Sequence, residues 1–94
     1  MTARVAGKLA RIAYALGLGH SAFARQEFGE AERRLREVVE RYPDTSAAPE
    51  ALYWAGVARY KATNDATALG ATASAFARQY QDSVWAKKAS VWKK

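Results

Sequence analysis

The chain has no cysteine, one histidine, one methionine and two prolines in 94 residues. The lack of cysteine excludes disulfides, thiol nucleophiles and thiolate metal sites, and it leaves redox compartment unread. The single histidine, His20, has no second histidine or cysteine with which to build a zinc set. Pro43 and Pro49 both stand beside an expected break, so long stretches are left free of helix breakers. No segment shows the apolar–polar alternation or β-branched enrichment of a strand, which makes the domain all-α. No apolar run approaches the ~20 residues that a membrane-spanning helix needs. With no strand there is no strand–loop–helix phosphate cradle. Nucleophile, base and oxyanion donor cannot be assembled from what remains, so neither catalysis nor a cofactor or metal is expected.

Acids are also missing from the ends. Residues 1–26 carry Arg4, Lys8, Arg11 and Arg25 with no acid, and residues 83–94 carry Lys87, Lys88, Lys93 and Lys94. Between them, seven bases face nine acids, so the net charge of +6 sits at the termini. Lysines in a last helical turn complement the helix dipole. A nucleic-acid interface would gather its bases on one face with interleaved aromatics, and this chain does not. A basic nucleic-acid-binding helical domain is therefore the alternative reading, with a structural tail of a larger protein as a third. The bases before the apolar run Ile12–Gly19, followed by small residues after His20, faintly resemble a signal peptide. The run is short and the repeat described next needs it as a helix. A cytoplasmic location is expected, or a periplasmic one if that segment is a signal or the chain is a fragment.

What the chain does have is an internal repeat. Tyr42-Pro43-Asp44-Thr45 is echoed 38 residues later by Tyr80-Gln81-Asp82-Ser83, and Ala48, Ala51 and Trp54 by Ala86, Ala89 and Trp92. A small–small–aromatic stripe at three-residue spacing marks one side of a helix, and the turn cluster marks its start. Such self-similarity is the mark of a helical array whose units bury their apolar faces against one another.

Helices are expected from about Ala3 to Gln26, Phe28 to Tyr42, Ala47 to Ala62, Ala66 to Tyr80 and Val84 to Lys93. In the first, Gly17 and Gly19 suggest close packing. The second places Ala31, Leu35, Val38 and Val39 at helical spacing. Its opposite side pairs Glu30 with Arg34, Glu32 with Arg36 and Glu37 with Arg41 in the favourable acid-first order. Caps are expected within Pro43-Asp44-Thr45-Ser46, at Asp65 or Thr67, and at Asp82-Ser83. The third helix should bury Ala48, Ala51, Leu52, Ala55 and Ala62. The fourth carries Leu69, Ala73, Phe76 and Tyr80 on one stripe.

These residues resemble tetratricopeptide repeats. In the first unit, about 3–43, Gly19 takes the small position, Phe28 the aromatic one, and Ala31, Leu35, Val38 and Pro43 follow. In the second, about 46–81, Gly56 is the small position, with Leu69 answering Ala31, then Phe76 and Tyr80. A capping helix over about 84–93 completes a single domain, 1–94. The units are 37–38 residues long, longer than usual for the family. The run around Tyr42-Pro43-Asp44 is especially similar to repeats of bacterial envelope proteins. The run from Glu30 to Trp92 is also similar to tetratricopeptide tails that follow thioredoxin-like domains. The resemblance implies a short α-solenoid that binds a protein or peptide partner.

In such folds one side of each unit's first helix lines a concave groove. Here that side carries Leu16, His20, Phe23 and Ala24 in the first helix, and Tyr53, Trp54, Val57, Tyr60 and Lys61 in the third. The expected partner groove is thus His20, Phe23, Tyr53, Trp54, Val57, Tyr60 and Lys61, with tyrosines supplying apolar area and a polar tip. The competing reading is that these rings are simply core. No Lys/Asn set for clamping a terminal carboxylate is present. At the C-terminal end, Val84, Trp85, Ala89 and Trp92 have no further helix to cover them. They are read as a self-association face, giving a homodimer.

Overall fold

The computed structural model describes residues 3–92, with side chains from Gly7 onward. The described residues form five helices and no strand: α1 (Ala3–Ala24), α2 (Phe28–Arg41), α3 (Ala47–Thr63), α4 (Thr67–Arg78) and α5 (Val84–Ala89). A 3-10 turn, Ser90–Trp92, follows α5. The all-helical expectation holds, with trimmed ends. α1 stops at Ala24 because Gln26 turns left-handed at φ 64°, and α4 stops at Arg78 because Gln79 is extended. α5 is a bare six residues before it tightens, and Lys93 and Lys94 lie outside the described residues.

Each helix packs on its chain neighbour, and α3 also meets α1 and α5. The core gathers around α3, whose alanines let other helices approach. Ala47, Ala51 and Ala55 pack with Ile12 of α1 and Leu35 and Val38 of α2. Ala58 meets Ala22 and Ala31, and Leu52 meets Phe76 and Ala89. Ala62 departs from its expected place. It is exposed, because the chain reverses just beyond it through Asn64 (φ 57°) and leaves that last turn uncovered.

The repeat is visible in packing. A Cβ added to Gly19 would fall 2.5 Å from Leu35 Cδ2, and one added to Gly56 would fall 2.8 Å from Thr72 Cβ. From 19 to 56 and from 35 to 72 the step is the same, so Ala31 is answered by buried Ala68, a small residue. This corrects the sequence alignment, which set half-buried Leu69 against Ala31. Tyr80 absorbs the single extra residue at the end of α4. The Gln79 N–H bonds back to Ala75 as Tyr42 does to Val38. Tyr80 then turns left-handed at φ 61° before the second turn begins. Gly17, by contrast, faces open space, so close packing does not explain it.

Capping is uneven. Ser83, the N-cap of α5, accepts from the Ala86 N–H through its Oγ at 3.0 Å. The N-cap of α4 is Ala66 rather than the expected Asp65 or Thr67, and Asp65 just before it accepts from the Thr67 N–H at 3.0 Å. Those two Thr67 bonds, from backbone and hydroxyl, hold the Asp65 carboxyl below its ordinary range. Ser46 makes no capping bond; Thr45 instead donates its hydroxyl to the Tyr42 carbonyl at 2.7 Å. On α2, Glu30 pairs with Arg34 and Glu32 with Arg36, each at 2.8 Å. Glu37 and Arg41 do not close within ion-pair distance, whereas Arg33 adds a second contact to Glu30 at 2.8 Å. Hydrogen bonds from Arg33 and then Arg34 hold the Glu30 carboxyl below its ordinary value.

Candidate functional site

Helical spacing on α1 and α3 puts His20 and Phe23 beside Trp54, because both helices run the same way along each other. His20 Nε2 lies 2.9 Å from Glu50 Oε2, where an Nε2–H would donate to the carboxylate. The His20 ring meets Trp54 edge-on at 6.1 Å, and Phe23 meets the same indole at 5.4 Å. Phe23 in turn stands edge-to-face with Phe28 of α2 at 5.2 Å. Each of these contacts has a geometry that aromatic quadrupoles favour.

The rings continue toward the C-terminus. Tyr53 touches Trp54 at 5.2 Å, Trp85 at 5.2 Å and Trp92 at 5.0 Å, the last in a stacked arrangement. Phe28, Phe23, Trp54, Tyr53, Trp85 and Trp92 therefore form one continuous aromatic surface across α1, α2, α3, α5 and the 3-10 turn after it. All six are half-buried. They are neither sealed in the core nor scattered on the exterior. Val57 and Tyr60, also half-buried, extend the α3 side by two turns without joining the ring contacts. Lys61 is exposed and sits 5.7 Å from the Phe28 ring centre, and Lys88 sits 4.5 Å above Trp85. Both are cation–π placements that leave the ammonium groups at the rim.

His20, Phe23, Tyr53 and Trp54 thus lie together on one surface, with Val57, Tyr60 and Lys61 on the following turns of α3. Phe28 belongs to this surface although its sequence pattern marked only the aromatic position of the first unit and the start of α2, not a place in the groove. The expected self-association face does not hold together as drawn. Ala89 is fully buried against Leu52 and Phe76, because α5 folds back over α3 and α4. Trp85 and Trp92 lean on Tyr53 of their own chain. What points outward there is Val84, 57% exposed, and Val91, 78% exposed. The repeat itself held the clue, since Trp92 occupies the position that Trp54 takes one unit earlier.

Tyr80, expected on an α4 stripe, instead ties the two repeated turns together by donating its hydroxyl to the Pro43 carbonyl at 2.6 Å. Burial raises its phenol above the ordinary value, and the Asp44 carboxylate adds to the effect. Among the described residues no group of histidines and acids is placed to hold a metal ion, and no helix is long and apolar enough to cross a membrane. No protein-family model, curated protein or solved structure matches the chain.

Proposed function

We propose that this chain is a tetratricopeptide-like interaction module, a short α-solenoid that binds a protein segment along the aromatic side of α1 and α3. The observation that carries this reading is the half-burial of the ring surface. A ring sealed in the core is unavailable to a partner, and an isolated exposed ring binds nothing specifically. A connected wall of rings fixed by one another presents apolar area with little left to order on binding. Polar points within it, the His20–Glu50 pair and the Lys61 ammonium, supply orientation.

The segment expected here is an extended or helical peptide with apolar anchors spaced to reach Trp54, Val57 and Tyr60. Selection of peptides from a random displayed library on the immobilised chain tests the reading. Selected peptides should lose at least about tenfold in affinity, roughly 1.4 kcal/mol, on Tyr60→Ala or Val57→Asp. Both variants should keep their helical circular dichroism, because neither residue belongs to the three buried clusters. Peptides that bind both variants unchanged would place recognition elsewhere.

A further inference from the structure

A cleft of about 410 Å³ lies between α1 and α2, half a turn around α1 from the aromatic surface. Ala10, Tyr14 and Leu18 form its α1 wall, with Arg11 beside them and Arg34 and Arg41 opposite on α2. We infer that this cleft is a docking site for an amphipathic helix with acidic flanks, contributed by a partner protein.

The internal repeat shows what shape fits. Stepping by the spacing that relates Gly19 to Gly56, residues 10, 14 and 18 correspond to Ala47, Ala51 and Ala55. Those three alanines are covered by a helix, α2, through Leu35 and Val38. The same three positions on α1 line an open cleft, and Tyr14 is 69% exposed. One unit of the molecule thus displays the docked form of a face that the other unit leaves open. Larger side chains at 14 and 18 hold an incoming helix farther off than the alanines of α3 do, which leaves room for long flanking side chains.

Charge then selects the occupant. Three guanidiniums border the cleft against one carboxylate, Glu37. Arg34 already gives its Nε to Glu30 at 2.8 Å. Arg11 and Arg41 make no ion pair with any described residue. An incoming helix with glutamates beside its apolar stripe would meet both guanidiniums, which bind carboxylates in a forked geometry that lysine cannot match. A second copy of this chain is disfavoured as occupant. The helices that could present Leu35, Val38 or Phe76 have buried them already, and α5 would bring Lys87 and Lys88 toward the arginines.

Two synthetic helices of about four turns test this, identical in a leucine stripe and carrying either glutamate or lysine on the flanks. Fluorescence anisotropy with the full chain should show the glutamate peptide binding at least about tenfold tighter, and less so as salt rises. The double variant Arg11→Glu, Arg41→Glu should reverse that order while keeping its circular dichroism. Tyr60→Ala should leave this binding unchanged, so failure here is separable from failure of the aromatic surface. Equal binding of the two peptides would overturn the inference, as would an order that the double variant leaves intact. So would a dimer in sedimentation that the double variant abolishes, since the occupant would then be a second copy.

Discussion

Gly17 and Gly19 are two residues apart on α1 and meet opposite surroundings. Gly17 faces open space, so Gly17→Ala should stabilise the chain by roughly 0.5–1 kcal/mol through helix propensity alone. Gly19→Ala should destabilise it, because the new methyl must displace Leu35, whose side chain is fully buried. Gly56 is the tighter case. Thr72 is β-branched, and its hydroxyl donates to the Ala68 carbonyl at 2.8 Å, so it has little freedom to yield. Gly56→Ala should cost about 1–3 kcal/mol in urea unfolding. Adding Thr72→Ala should recover part of that loss, a favourable coupling measurable in a double-mutant cycle. Additive costs would show that the two residues do not touch. Nothing local in the sequence separates Gly17 from Gly19. Only the register of α2 against α1 does, and the repeat supplies that register through Gly56.

At the scale of the elements, the two repeated turns were legible because proline, aspartate and serine carry their turn chemistry locally. Docking of α5 was legible only through the repeat, which gives Trp92 the place of Trp54, and not from the helix's own composition. A terminal helix with Trp85, Ala89 and Trp92 has the same composition whether it covers its neighbours or faces outward, and the choice lies in how the preceding turn aims it. Tyr80 does that aiming, through a left-handed backbone and its bond to Pro43. The phenol must keep its proton to donate. Its folded pKa lies above the ordinary 10.0, so its contribution is complete below 10.0 and is lost as pH rises through the higher folded value. Stability should therefore fall on the alkaline side, and Tyr80→Phe should flatten that fall while costing about 0.5–1.5 kcal/mol at neutral pH. An unchanged alkaline slope in the variant would assign the effect to other groups. Ser83→Ala should cost about 1 kcal/mol, since α5 is too short to persist without its cap and its docking.

For the whole molecule, the aromatic surface was half legible. Residues of α1 and α3 were placed by helical spacing, but Trp85 and Trp92 needed the fold-back to join them. Trp85 and Trp92 are held against Tyr53 of their own chain, and the most exposed apolar residues left at that end are Val84 and Val91. Sedimentation should accordingly show a monomer at tens of micromolar. Trp92→Ala should destabilise that monomer by about 1–2 kcal/mol through loss of its stacked contact and covered area. A dimer weakened by Trp92→Ala would restore α5 as a joint between chains. The central claim is that α1 and α3 present a recognition surface, and chemical-shift mapping tests it most directly. Uniformly nitrogen-labelled chain titrated with a library-selected peptide should show its largest shifts at Trp54, including the indole N–H, and at His20, Val57, Tyr60 and Lys61. Shifts that gather elsewhere and leave those five residues unmoved would contradict it.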